Sequence, residues 1–371
     1  MKKIFLSICL IFLMSISMIT CSKKDIKIGF SATLTGSYSE MGVAQRDGVL
    51  IAVEELNQNG GINGRKIDLV IRDNKGSVIG AKKAIDYFKS QGIDIIIAFG
   101  MSNMSDVIKD AMAKDDLLFI SPTISTTKMT GLDDNFIRVI PDLKRQSEVL
   151  GELIYDDLKV FDIGIVYDAK NRGFSDLLFD NFKEIYSNKG GKSVFEYTIT
   201  EENPKLELIR DLLLKSSSKG VLIIANSVDS ASISQEIRKY DKDIKIFISN
   251  WGMTGDFISY SGKAVKNIYF STNFDINNKD EDYLKFLDIY KTKFNKEPSY
   301  ASIYGYESVI VLNEGIKKSG TNIKRLKKAI IDISKYEGLQ SDFIIDEFGD
   351  VKREIYKIKV EESRYKNLDE K

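Results

Sequence analysis

Short, continuous apolar segments alternate with amphipathic ones along almost the whole chain, and that alternation leaves few architectures open. Ile26–Phe30 reads as an apolar strand. It is followed by the turn-rich stretch Thr33–Gly42 and by a helix that ends near Asn57, where Asn59-Gly60-Gly61 stops it. Ile67–Ile71, Ile93–Ala98 and Leu117–Ile120 read as further strands, with helices over Ser77–Gln91 and Ser102–Lys114 between them. A strand buried on both faces is apolar throughout, whereas a half-buried one alternates. These runs therefore predict a parallel sheet covered by helices on each face.

A second series with the same rhythm starts after Pro141. Leu143–Leu158 is expected to be a helix, Phe161–Val166 a strand, Ser175–Lys189 a helix and Val194–Thr198 a strand. Pro204–Ser216, Val221–Ala225, Ser230–Tyr240 and Ile244–Ile248 continue as helix, strand, helix, strand. From about Ser271 the pattern changes to helices over Asp280–Phe294, Ala301–Lys318 and Ile323–Ile333. The chain then closes with Phe343–Asp346, a turn at Gly349 and Ile355–Val360, which read as a hairpin. With 371 residues, there is room for two α/β lobes and not for one ordinary unit. No low-complexity linker separates the two series, so short crossings are expected and not a flexible tether. Open α/β sheets bind ligands at the carboxyl ends of their strands, and two such edges facing each other would form a cleft.

The N-terminus has the parts of a secretory signal peptide over residues 1–20: Lys2 and Lys3, an apolar run from Ile4 to Ile19, then Thr20 and Cys21. The run is short for a membrane span. Cys9 would be removed with it, leaving Cys21 as a lone cysteine at the mature N-terminus. There it resembles the lipidated cysteine of bacterial lipoproteins, although Ile19-Thr20 stands where small residues are usual. Export with a lipid tether on Cys21 is the expectation; plain cleavage nearby and an uncleaved anchor are the alternatives.

Composition removes several function classes. Lys plus Arg and Asp plus Glu both total 54, so charge gives no reason to expect nucleic acid as a partner. There is no histidine, which excludes Ser-His-Asp and Cys-His nucleophiles and histidine bases. The chain has no P-loop, nucleophile elbow or dinucleotide fingerprint. An enzyme would have to use carboxylates such as Asp73, Asp168 and Glu307 near strand ends.

An ordered set of residues runs through nearly all of the chain after the apolar N-terminus: Ile28-Gly29, Leu34-Thr35-Gly36, Met41-Gly42, Gly48 and Ala52-Val53-Glu54-Glu55-Leu56-Asn57. It continues with Gly60-Gly61-Ile62-Asn63-Gly64-Arg65, Arg72-Asp73, Gly100-Met101-Ser102, Ile120-Ser121-Pro122 and the stretch from Pro298 to Gly305-Tyr306. In this set the chain resembles the leucine/isoleucine/valine-binding family of ABC-transporter solute-binding proteins, with the type I periplasmic binding protein fold. The resemblance implies two Rossmann-like lobes with parallel sheets, a hinge of three crossings near Pro141, Ser271 and Gly349, and a ligand cleft between the lobes. Residues 21–142 and 272–349 would form lobe 1, and 143–271 and 350–371 lobe 2. The implied activity is capture of an amino acid or related small carboxylate and its delivery to an ABC permease, with no cofactor or metal. A sensing module for a membrane receptor is the alternative on the same fold.

Residue by residue, the resemblance places a ligand carboxylate on Ser102, Ile124 and Ser125. That agrees with elementary chemistry, since Ser102 would open a helix where free amides favour an anion. A plain helix-capping role for the two serines is the competing reading. Met41, Asn226 and Ser227 complete the implied lining. Two positions depart from the family pattern. Arg172 stands before Gly173 where amino-acid binders carry an aromatic residue. Trp251, with Asn250 before it, falls where they carry the acid that pairs with the ligand's ammonium; Asp256 and Glu307 are the nearest substitutes. The expectation is a carboxylate ligand that need not be leucine, isoleucine or valine. Arg172 would pair with a second acidic group and Trp251 would stack on a flat or apolar one.

Overall fold

The structure, a computed structural model, describes residues 24–36, 38–254, 257–275 and 277–369. The expected signal segment, Cys21 and Asp256 lie outside them. Five strands form one sheet: β1 (Ile26–Ala32), β2 (Ile67–Asp73), β3 (Ile95–Ala98), β4 (Leu118–Ser121) and β5 (Phe136–Arg138). Helices α1 (Ser39–Gln58), α2 (Val78–Ser90) and α3 (Ser105–Met112) connect them. All pairings are parallel, in the order β2-β1-β3-β4-β5. β3 and β4 are buried at every residue, as uninterrupted apolar sequences require of central strands.

After α4 (Leu143–Gly151) the second sheet takes β6 (Asp162–Asp168), β7 (Lys192–Ile199), β8 (Gly220–Ile224), β9 (Lys245–Ile248) and β10 (Ile268–Thr272). Between these lie α5 (Arg172–Asn188), α6 (Leu206–Lys215), α7 (Ser227–Tyr240) and α8 (Phe257–Ser261). The hairpin β11 (Tyr356–Glu361) and β12 (Arg364–Asn367) adds to the β10 edge antiparallel, completing the order β12-β11-β10-β9-β8-β6-β7. Without that hairpin the two sheets have the same strand order, which reverses once in each. The reversals fall between β1 and β3 and between β6 and β8, and the crevice beyond the carboxyl ends at such a point is where open α/β sheets bind.

Helices α9 (Glu281–Phe294), α10 (Tyr300–Ser319) and α11 (Ile323–Ile331) follow the second sheet in sequence but return to the first. α10 lies directly on α1, and two glycines permit the approach. A Cβ on Gly48 would stand 1.8 Å from the Ser302 carbonyl oxygen, and one on Gly305 2.3 Å from that of Gln45. The chain passes between the two halves after β5, after β10 and before β11.

The structure departs from the sequence reading in several places. β5 and β10 were absent from it, being respectively very short and interrupted by Ser271 and Thr272. The helix expected over Leu143–Leu158 becomes π-helical at Glu152–Asp157. The closing hairpin is β11–β12, while Phe343 and Ile345 make only isolated bridges to Tyr336 and Val351. Its turn residues, Glu362 and Ser363, both have positive φ, so the two-residue turn lacks the Asn-Gly signature that announces such turns.

Candidate functional site

On the first lobe, the loops that follow β3 and β4 are stitched together by side chains. Ser102 begins a 3-10 turn that follows β3 after Phe99, Gly100 and Met101, and its Oγ accepts the amide of Ser125 at 3.2 Å. Ser121 Oγ accepts the Ile124 amide at 3.0 Å. Thr123 Oγ1 donates to the Gly100 carbonyl and accepts from Gln45 Nε2, each at 2.8 Å. Neither the 3-10 turn nor α3 has a side-chain cap, so Ser102 serves the facing loop and not its own helix. Ser102, Ile124 and Ser125 are all buried. The Ile124 and Ser125 amides are thus taken by hydroxyls of the same lobe, which fixes Ser102 and Ser125 against each other beyond the carboxyl ends of β3 and β4.

On the second lobe, Asn226 caps α7, accepting the Asp229 amide at 3.0 Å and donating to Asp229 Oδ2 at 2.8 Å. Asp168 ends β6 and accepts from the Lys170 amide at 2.8 Å, with Lys170 Nζ 3.6 Å away. Trp251 lies in the turn after β9 and is buried. Phe174 meets it edge-on, ring centroids 5.6 Å apart.

The two lobes touch across the cleft. Tyr38, from the loop after β1, stacks on Trp251 at 5.8 Å and donates to Asp168 Oδ2 at 2.9 Å. Ser227 Oγ donates to Glu40. The Asn103 amide donates to Asn171 Oδ1 at 3.3 Å, and Asn103 Nδ2 to the Lys170 carbonyl at 3.4 Å. Gly173 is so close to the other lobe that a Cβ there would stand 2.5 Å from the Ser102 carbonyl oxygen. This is a closed arrangement.

Burial is the largest influence on the carboxyls of Asp168 and Asp229 and raises both above the usual range. The amide of Lys170 and the side chain of Asn226, respectively, oppose it. Burial likewise raises the Tyr38 phenol, helped by Asp168. Because folding raises the Asp229 value, the folded protein holds that proton more tightly than the unfolded chain. Its charging therefore costs stability as pH rises through the raised value, and costs nothing below the unfolded value of about 4. Asp229→Asn is expected to melt higher than the parent at pH 7 in ligand-free protein, and equally at pH 3.5. Calorimetric melts at the two pH values check this.

Of the residues singled out from sequence, the structure brings Ser102, Ile124 and Ser125 together, and places Asn226, Ser227 and Trp251 on the facing edge. Met41 is half-buried, with Tyr300 Oη donating to its sulfur at 3.2 Å. Arg172 is different: it is the first residue of α5, its side chain is exposed, and the position against Trp251 is filled by Phe174. Glu307 is buried in an ion pair with Arg353, so it is no substitute for a cleft acid. Tyr38, Phe174 and Asp229 were missed. The Asn-x-x-Asp spacing of a reciprocal cap at 226–229 was the available signal for Asp229. Among the described residues no cluster of acids or cysteines is arranged to hold a metal ion, and no helix is long and apolar enough to cross a membrane.

The sequence profile of the periplasmic binding protein family matches residues 25–365. A Leu/Ile/Val-binding protein homolog from Brucella abortus is 26% identical over 335 residues, 88% of each chain. The fold is that of a leucine-binding protein from Thermotoga maritima, with a TM-score of 0.84 and 20% identity over 92% of this chain and 97% of that one. A branched-chain amino-acid substrate-binding protein from Streptococcus pneumoniae, solved with isoleucine, gives 0.84 and 20% over 93% and 99%. A solute-binding protein of R. palustris, solved with benzoate, gives 0.83 and 16% over 93% and 95%.

Proposed function

The chain belongs to the periplasmic binding protein family, and on that premise we propose that it captures an amino acid or related small carboxylate between its lobes and hands it to an ABC permease. The observation that carries the reading is the stitched hydroxyl-and-amide point at Ser102 and Ser125, set across a closing interface from Asp168, Asp229 and Trp251. A ligand carboxylate would lie against the first-lobe edge. Its other end would meet the second-lobe carboxylates and the rings of Tyr38, Trp251 and Phe174. Asp229, not a residue after β9, is then the acid best placed for an ammonium, and exposed Arg172 stands outside the binding surface. Relatives of this fold solved with isoleucine and with benzoate both present a carboxylate with an apolar body, which fits one polar edge and one aromatic edge. The reaction is binding and release, without chemistry on the ligand. Export through the N-terminal segment and a lipid on Cys21 complete the proposal.

Ser102→Ala is expected to weaken binding of the natural carboxylate about 10- to 100-fold, because a hydrogen bond to a charged group is lost. Calorimetric titration of Ser102→Ala and of the double variant Ser102→Ala/Ser125→Ala checks this. Unchanged affinity in the double variant would reject the carboxylate assignment.

A further inference from the structure

Trp251 is the chain's one tryptophan, and both lobes contribute to its surroundings. It lies in the turn after β9, within the apolar cluster of the second lobe, where Phe174 meets it edge-on at 5.6 Å and 72°. The ring that stacks on it comes from the other lobe: Tyr38, with centroids 5.8 Å apart and planes 27° apart. Met41, also of the first lobe, packs against the same cluster, and its sulfur accepts from Tyr300. A tryptophan that only filled its own core would need no partner from the opposite lobe. Here a stacking face is covered by a half-buried side chain that would leave it if the lobes part.

Tyr38 Oη donates to Asp168 at 2.9 Å and Lys170 Nζ lies over the ring, 5.3 Å from its centroid, which keeps the phenol facing Trp251. Two nearly parallel rings on opposite lobes make a slot that opens and shuts with the cleft. A flat ring stacked on both needs their centroids about 7 Å apart, at about 3.5 Å per contact. That is little more than the 5.8 Å between them, and the loop between β1 and α1, which carries Tyr38, can supply the difference. A branched chain or a saturated ring is thicker and has no π face, so it would hold the rings further apart and gain no stacking. The slot adjoins the first-lobe edge. Gly173, beside Phe174, approaches the Ser102 carbonyl, and Asn103, beside Ser102, donates to Asn171 Oδ1 at 3.3 Å and to the Lys170 carbonyl at 3.4 Å. One small ligand can therefore reach both.

We infer that the captured solute is an aromatic carboxylate or aromatic amino acid, its carboxyl at the Ser102–Ser125 edge and its ring sandwiched between Tyr38 and Trp251, one from each lobe. The inference rests on the reading of the chain as a capture protein for small carboxylates and names the class within it. Tyr38 and Trp251 are then the specificity-determining residues. Each supplies one face, so gripping the ring and closing the lobes are one event, and a ligand without a flat ring closes the cleft less tightly.

The test is calorimetric titration of the purified protein with benzoate, phenylacetate and L-phenylalanine, each beside its saturated-ring counterpart: cyclohexanecarboxylate, cyclohexylacetate and L-cyclohexylalanine. L-leucine is titrated with them. The aromatic member of at least one pair is expected to bind about tenfold tighter than its counterpart and than L-leucine, since stacking on two rings adds to the burial that all share. Tyr38→Leu is expected to cut that ratio to about threefold, and Tyr38→Phe, which keeps the ring and drops the bond to Asp168, to leave it within about twofold of the parent. Tyr38 is half-buried and outside the helices and strands, so neither variant empties a core. Tryptophan emission, which comes from Trp251 alone, is expected to change as the aromatic acid binds and to saturate at the calorimetric affinity. An aromatic-to-saturated ratio near one, a ratio untouched by Tyr38→Leu, or emission unmoved by a bound aromatic acid overturns the inference. Binding of L-leucine alone overturns it too and upholds the capture reading, whereas binding of none of these carboxylates counts against both.

Discussion

Gly173→Ala is expected to weaken ligand binding about tenfold or more while leaving the melting temperature of the ligand-free protein within about 2 °C of the parent. The reason is where the new methyl group would go. It would stand 2.5 Å from the Ser102 carbonyl oxygen and 2.8 Å from the Asn103 amide nitrogen, both backbone atoms of the opposite lobe. Backbone cannot swing aside as a side chain can, so the lobes must stop short of their closed contact. Overpacking of this kind costs about 1–3 kcal/mol, which corresponds to roughly 5- to 150-fold in affinity. Separated lobes would not bring these atoms together, and alanine is a better helix residue than glycine at the start of α5. Calorimetric titration paired with thermal melts separates the two effects. An unchanged affinity would mean that the contact between Gly173 and Ser102 is not part of the liganded state.

Gly48→Ala acts on stability and not on closure. Its Cβ would stand 1.8 Å from the Ser302 carbonyl oxygen and 2.7 Å from the attached carbon, with α1 and α10 both rigid. The helices must separate, and α10 carries Tyr300, Tyr304, Val309, Val311, Leu312 and Ile316, all buried against the first lobe. A loss of about 3 kcal/mol or more is expected, lowering the melting temperature by roughly 6–12 °C. Thermal denaturation reads it, and a melt within 2 °C of the parent would contradict the packing described for α1 and α10.

Much of the fold was legible because its signals are local. Short uninterrupted apolar runs such as Ile95–Ala98 and Leu117–Ile120 read as central strands, and Asn59-Gly60-Gly61 is a strong helix terminator. β10 was not legible, since Ser271 and Thr272, buried at its end, break its apolar pattern. The site divides in the same way. Ser102 and Ser125 are found from the ends of β3 and β4 together with the family pattern. Phe174 is not, because the one-turn-earlier start of α5 turns Arg172 outward and Phe174 toward Trp251, a rotation set by tertiary packing. Tyr38 was missed for a similar reason: its partners Trp251 and Asp168 lie more than a hundred residues away and on the other lobe.

The central claim is that a small carboxylate is held between the lobes by its carboxyl group. Calorimetric titration of the purified protein with L-amino acids, with benzoate and with the carboxamide of each tests it most directly. The predicted result is one-to-one binding of at least one carboxylate, with its carboxamide at least about tenfold weaker, since the amide loses a charge-assisted contact at Ser102 and Ser125. A carboxamide that binds as tightly as its parent acid would contradict the account.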